Sequence, residues 1–374
     1  MKTIGLSAPD ITPEEHLLVD EVLRSGHLSF GPMMETFERE FAARFGARHA
    51  VAMSSGTAAL HVAMIAAGVH DNDLVITTPF SFIASANSIL FERGIPHFVD
   101  IDPETLTIDP AATADAIESL APSGRLRAIL PVHVFGRMAE MEPILKAARR
   151  HGIAVIEDAC EAIGSQSDGV FAGRCSDASA FGFYPNKQMT TGEGGVLMTD
   201  RDDYAALARS VRNQGRNGYE FDRLGFNYRM NSISAALGVA QLRRLDELLT
   251  KRDAVAARYD AILANVAGIR TLAAPRAGMR ISRFVYVVRL DPGVDRDLVM
   301  SALAARGIES RVYFPAIHLQ PFYRERFGFT EGMFPNTEAA AATLLALPFH
   351  GNLSTEEIEY VCDSLAAEIV RQAA

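Results

Sequence analysis

The chain has 374 residues, 48% of them hydrophobic, and 46 acidic against 36 basic side chains leave a formal net charge of −10. That length can bury a large core and predicts two lobes, while the acidic balance argues against a non-specific nucleic-acid binder, which needs a basic face to displace counterions. An anionic small substrate stays open, because a pocket inside an acidic protein can be locally positive.

The opening MKTIGLSAPD has no basic segment followed by an apolar run, so no signal peptide is expected there. No stretch approaches the roughly 20 unbroken apolar residues of a membrane helix. From about residue 48 short β-branched runs alternate with apolar helical stretches. HAVAMSS leads into GTAALHVAMIAAG, and DLVITTP into SANSILFERG; IPHFVDID precedes DPAATADAIESL, where Asp109 and Pro110 suit a helix cap and first turn. RAILPVHVFG, MEPILKAARRHG and IAVIEDAC continue the alternation, which predicts an α/β fold with a mostly parallel sheet covered on both faces. DASAFGFYP and GVLMTD read as two further strands around a Gly-rich loop. Residues from about 229 to 266 read as long helices, with Gln241, Arg243, Arg244, Asp246 and Glu247 on wet faces. FVYVVRL, DRDLVMSALAARG and IESRVYF repeat strand–helix–strand, and Ser354 with Glu357 forms a capping box before the last helix. The expected division is a large lobe, 1–250, that includes the N-terminal segment, and a smaller C-terminal α/β lobe, 251–374. Cys160, Cys175 and Cys362 are few, widely spaced and odd in number, unlike a disulfide framework or a zinc site, so a reducing cytoplasm is expected.

Three features carry chemistry. Lys187, one of only four lysines (with Lys2, Lys146 and Lys251), sits in FGFYPNKQMTTGEGG between an aromatic strand and a glycine-rich loop. An amine that attacks a carbonyl at neutral pH needs desolvation or a neighbouring cation; an ordinary loop lysine is the alternative. Asp158 ends the strand IAVIEDAC, where open α/β sheets bind ligands, and a carboxylate there can keep a pyridine nitrogen protonated. A capping or salt-bridged Asp is the alternative, and Glu157 points to the other face. In SSGTAAL, Gly56 lets a phosphate approach a helix start and Thr57 adds a hydroxyl, although capping alone also explains Ser-Gly-Thr. The three occur in the order that a pyridoxal 5′-phosphate site needs.

With these motifs, the whole chain resembles the DegT/StrS-type nucleotide-sugar aminotransferases. The resemblance runs from SGHLSFGPMMETFEREFAARFG through TTPFSFIASAN, PVHVFGRMAEM, VIEDACEAIGS and GFNYRMNSISAALGVAQL to PAIHLQPFY and LALPFHGNLS. It implies the PLP-dependent fold type I, like aspartate aminotransferase, and a homodimer with shared active sites. It makes Lys187 the Schiff-base amine and proton shuttle, Asp158 the pyridinium partner and Phe82 the ring that stacks on the cofactor. Gly56 and Thr57 would hold the phosphate, and Asn227 would reach the phosphate of the neighbouring subunit's cofactor. Tyr184, Tyr313 and His318 are candidates for sugar contacts; His133 and Arg229 read as structural.

Two positions depart from the family pattern. Gly182 replaces a frequent phosphate-binding Ser, with Ser54, Ser55 or Ser179 as possible substitutes. Glu161 stands where Gln or His is common near the cofactor's phenolic oxygen, so it is expected to be protonated or turned aside. Glu161 together with IESRVYFPAIHLQPFY resembles the perosamine-synthase branch, which aminates C4 of a GDP-linked 4-keto-6-deoxyhexose. The implied reaction takes an amino group from an amino-acid donor, glutamate, leaves pyridoxamine phosphate, and passes the group to a nucleotide-linked keto-sugar. The alternatives are a sugar dehydratase on the same scaffold, a non-catalytic regulatory homologue, and a cysteine desulfurase using Cys160.

Overall fold

Two capped helices open the computed structural model, which describes residues 3–373; Lys2, among the four candidate lysines, lies outside the described residues. α1 (Pro13–Ser25) starts on a capping box between Thr12 and Glu15 and stops at Gly26, whose left-handed backbone a side chain would strain. α2 (Pro32–Phe45) buries Phe37, Phe41 and Phe45, which its i, i+4 spacing brings onto one face.

The main sheet then builds by alternation. β1 (His49–Met53), β2 (Leu74–Thr77), β3 (Ile95–Phe98), β4 (Leu126–Ile129) and β5 (Ala154–Asp158) are separated in turn by α3 (Gly56–Ala66), α4 (Ala84–Phe91), α5 (Pro110–Leu120) and α6 (Met141–His151). Asp109 accepts the N–H groups of Ala111 and Ala112 at the start of α5, as its pairing with Pro110 predicts. A small ladder of β6 (Gln166–Ser167) and β7 (Val170–Phe171) precedes β8 (Ala178–Gly182) and β9 (Gly195–Thr199). The seven long strands lie in the order β1-β9-β8-β5-β4-β2-β3. All pairings among β3, β2, β4, β5 and β8 are parallel, whereas β9 runs antiparallel to both its neighbours. This is the mostly parallel sheet that the sequence alternation predicts, with one antiparallel strand inserted.

α7 (Asp202–Val211) and an exposed hairpin of β10 (Arg216–Asn217) and β11 (Glu220–Phe221) lead to α8 (Ser232–Arg243) and α9 (Leu245–Leu263). Gln241, expected on a wet face, is instead buried: its amide donates to the Asp10 carbonyl and to Glu15, and its oxygen accepts the Thr190 N–H. α9 runs unbroken through residues 250 and 251. Its Leu245, Leu248 and Leu249 pack into the core of α2, whereas Val255, Ala256, Tyr259 and Leu263 pack into the C-terminal core.

That second core surrounds a three-stranded antiparallel sheet, β12 (Ile269–Thr271), β14 (Tyr286–Leu290) and β15 (Leu344–Leu347), while β13 (Met279–Arg280) pairs with β6. It is covered by α10 (Arg296–Ala305) and α13 (Thr355–Ala373); α11 (Pro321–Phe327) and α12 (Pro335–Thr343) complete the chain. Ser354 and Glu357 cap α13 reciprocally. The expected strand IESRVYF makes only isolated bridges, Ile4 to Ile308 and Arg311 to Ala346, because Leu344–Leu347 takes the third place in the sheet. Ile4 belongs to the same C-terminal core, so the first described residues lie with the smaller lobe rather than the large one. Among the described residues no helix is long and apolar enough to cross a membrane.

Candidate active site

The carboxyl ends of the parallel strands open onto a cavity of about 520 Å³ lined by residues of both sheet regions. β8 ends at Gly182, and the chain leaves the sheet in a loop before returning as β9. Phe183 closes that loop at both ends: its N–H donates to the Gly194 carbonyl at 2.9 Å, and its own carbonyl accepts the Thr191 N–H and the Thr190 hydroxyl, each at 3.0 Å. Lys187 rises from the loop, its Nζ 3.8 Å from the centroid of the Phe284 ring and 3.5 Å from Glu161 Oε1. Arg252 on α9 is buried without a carboxylate partner among the described residues. It donates to the Lys187 carbonyl at 2.8 Å and the Phe284 carbonyl at 3.1 Å, so it ties the lysine loop to the C-terminal lobe. Burial brings its guanidinium down to about 10.

Asp158, the last residue of β5, is 4% exposed and lines the cavity. Its Oδ1 accepts the Cys160 N–H at 3.1 Å and its Oδ2 accepts the Ser85 hydroxyl at 2.7 Å. Glu157 faces the opposite side, where it accepts from His133 Nε2 at 2.8 Å and from the N–H groups of Gly173 and Cys175. His133 Nδ1 accepts the Ala139 N–H, which leaves the imidazole a single proton, on Nε2. His133 is thus engaged within the fold, and the Arg229 guanidinium donates to Asn213 Oδ1.

The phosphate-cradle candidates sit at the first turn of α3. Ser55 Oγ takes the Ala58 N–H and the Ser55 carbonyl takes the Ala59 N–H, which leaves those of Gly56 and Thr57, both cavity-lining, for a ligand. Close packing demands the glycine: a Cβ on Gly56 would stand 2.9 Å from Cys160 Sγ and 3.0 Å from Gly182 Cα. Ser179 does not substitute for the missing serine at 182, because its buried hydroxyl donates to the Gly173 carbonyl. The Cys160 thiol is pushed well up by burial and then by Asp158, which disfavours the thiolate a desulfurase needs.

Phe82, just before α4, is 60% exposed and lines the cavity. Tyr184 and Tyr313 line it too, Tyr313 accepting from Asn186 Nδ2 at 3.3 Å. Glu161 is buried; its Oε2 accepts the Phe135 N–H at 2.9 Å, and burial raises its carboxyl, with Lys187 opposing. The structure therefore brings Lys187, Asp158, Gly56, Thr57, Phe82, Glu161, Tyr184 and Tyr313 together.

Two expected residues stand apart. His318 is fully buried away from the cavity, its Nε2 2.9 Å from Glu338 Oε1 and its ring against Phe334, so it is not placed to touch a sugar there. Asn227 lies on an exposed stretch outside the cavity of its own chain. Sequence reading overlooked Ser85, Phe284 and Arg311, which also line the cavity, and Arg252 behind the lysine loop. Ser85 was within reach of it, one helical turn beyond Phe82, but the others come from distant segments and carry no local signal. The donor set fits pyridoxal phosphate: an amine, a carboxylate and a helix start converge on one cavity, beside an open aromatic face.

A sequence profile of the DegT/DnrJ/EryC1/StrS aminotransferase family matches residues 9–366. The chain is 39% identical over 373 residues to GDP-perosamine synthase of Caulobacter vibrioides, covering 98% of each protein. Among solved structures it matches a putative sugar aminotransferase of Streptococcus pneumoniae in its PLP form, with TM-score 0.93 and 26% identity over 99% of this chain and 100% of that one. The aminotransferase TlmJ of Streptoalloteichus hindustanus gives TM-score 0.92 and 32% identity over 99% and 100%.

Proposed function

Because the chain belongs to the DegT/DnrJ/EryC1/StrS aminotransferase family and works with pyridoxal 5′-phosphate, we propose that it transfers an amino group from glutamate to C4 of a nucleotide-linked 4-keto-6-deoxyhexose. The observation that carries this reading is the convergence of Lys187, Asp158 and the Gly56–Thr57 turn on one cavity; the likeness to a GDP-perosamine synthase over nearly the whole chain supports the sugar.

When bound, the cofactor supplies an electron sink for the bond broken at the donor's α-carbon. Asp158 would hold the proton on the ring nitrogen, and Phe82 would cover the ring. The Gly56 and Thr57 N–H groups hold the phosphate. Lys187 Nζ would anchor the cofactor and, once displaced by the donor's own amine, would be free to take the proton lost from the donor's α-carbon; in the second half it would return a proton to the sugar carbon. The Phe284 ring beneath it and the loop closed by Phe183 keep that amine over the site. Glu161, its carboxyl raised by burial, would face the cofactor's phenolic oxygen. Tyr184 and Tyr313 contact the sugar, so the C-terminal lobe (251–374) closes a site whose cofactor half comes from residues 1–250.

The working unit is a homodimer in the cytoplasm. Asn227 of one copy serves the cofactor phosphate of the other, which accounts for its distance from its own cavity. In the test, purified protein is yellow, bleaches with glutamate, and recovers its colour with one of a panel of GDP-, dTDP- and UDP-linked 4-keto-sugars. Lys187→Ala abolishes turnover. Bleaching that no keto-sugar reverses would remove the sugar from the proposal, and unchanged turnover in Lys187→Ala would remove the lysine.

A further inference from the structure

The Asp158 carboxylate is not free to turn. One oxygen accepts a backbone N–H from Cys160, and the other accepts the Ser85 hydroxyl at 2.7 Å. The Ser85 oxygen is itself 2.7 Å from the hydroxyl of Ser81, and all three side chains are buried. Proton direction follows from the chemistry of the groups. An ionised carboxylate only accepts, so Ser85 gives its single hydroxyl proton to Asp158, and its oxygen is left to accept from Ser81. The Phe82 carbonyl, 3.2 Å from the same hydroxyl, is the more distant competitor.

We propose that Ser85 is a positioning residue for the carboxylate that binds the ring nitrogen, and that Ser81 orients Ser85. The inference rests on the reading of Asp158 as the ring-nitrogen partner. The two serines flank Phe82 on one short segment entering α4. One piece of backbone therefore carries both the Phe82 face that would cover the ring and the hydroxyls that fix Asp158, which would meet its nitrogen. A carboxylate held by one backbone bond alone turns among rotamers and meets the ring nitrogen for only part of the time; a directed hydroxyl pair removes that freedom before the cofactor arrives.

The test uses the cofactor-loaded protein and two readouts: the pH titration of the visible absorption of the bound cofactor, and the rate of its bleaching by L-glutamate. Asp158→Asn serves as the reference. Ser85→Ala is expected to displace the titration in the same direction as Asp158→Asn but by less, and to slow bleaching about tenfold, as for loss of one hydrogen bond to a charged group. Ser85→Thr, which keeps a hydroxyl, restores both, and Ser81→Ala gives a smaller displacement of the same sign. A Ser85→Ala protein that superimposes on the parent while Asp158→Asn moves overturns the proposal. A reference variant that does not move overturns the reading of Asp158 and the proposal with it. If Ser85→Ala fails to fold, Ser81→Ala decides alone, and a parental titration in that variant is the negative result.

Discussion

Glu161 shows how one buried carboxyl can be tuned by its surroundings rather than by its charge partner. Burial raises its carboxyl above the ordinary value of 4.5, and Lys187 only partly opposes the shift. A carboxyl raised in the folded state contributes stability that is complete below the unfolded value and is lost as pH rises through the folded one. Glu161→Gln keeps the shape and the bond from Phe135 but cannot ionise. Its unfolding free energy should therefore fall less between acid and neutral pH than the parent's; parallel curves in denaturant titrations would contradict the assignment. Gly182 offers a complementary case. A Cβ there would stand at an ordinary 3.5 Å from Cys160 and Gly56, so Gly182→Ser has room for its first side-chain atom. It should tighten pyridoxal phosphate about two- to tenfold, the equivalent of one neutral hydrogen bond of about 0.5–1.5 kcal/mol. Equilibrium binding to the apoprotein measures this, and weaker binding would place the phosphate elsewhere.

Between elements, the decisive contacts are between segments far apart in the chain, and this limits what a sequence discloses. The alternation of β1 to β5 with α3 to α6 was legible because each run carries its own period and caps. The antiparallel entry of β9 was not, since GVLMTD reads the same in either direction and its placement between β1 and β8 depends on pairing across the sheet. Asp158 and Gly56 were legible because each lies where a strand or helix ends, and Lys187 because it is one of four lysines and is set beside a glycine-rich loop. The role of Arg252 was not, because a guanidinium on a charged helix looks like any solvated one until the carbonyls of Lys187 and Phe284 are brought to it. His318 misled for the same reason: a histidine beside a motif gives no sign of the Glu338 that engages it. At the joint between the lobes, Gly136 has φ +86°, and an added Cβ would fall 1.9 Å from the Ser282 carbonyl oxygen. Gly136→Ala should cost about 1–3 kcal/mol or more in stability, through backbone strain and the displaced segment at Ser282. Denaturant unfolding tests it; a loss below a few tenths of a kcal/mol would mean that the joint yields freely.

At the scale of the whole molecule, the surface that stands out is the excursion between α7 and α8. Tyr219 is 95% exposed, Leu224 81% and Phe221 67%, an apolar grouping that water disfavours and a second copy of the chain would cover. If the proposed dimer forms through this face, replacing Tyr219 and Phe221 together by Ser should leave a monomer in sedimentation and lower turnover with it, since Asn227 lies just beyond. A variant that stays dimeric at full activity would show that this face is not the joint. Within each copy, the loop between β8 and β9 has a consequence of its own. Phe183 fastens its two ends to a single sheet, so the freedom of the Lys187 amine is surrendered once, when the chain folds, rather than at every turnover. In the proposed reaction the amine, once released, would stay within reach of the reacting carbon, at an effective concentration that can reach about 10⁵ M for well-oriented intramolecular partners.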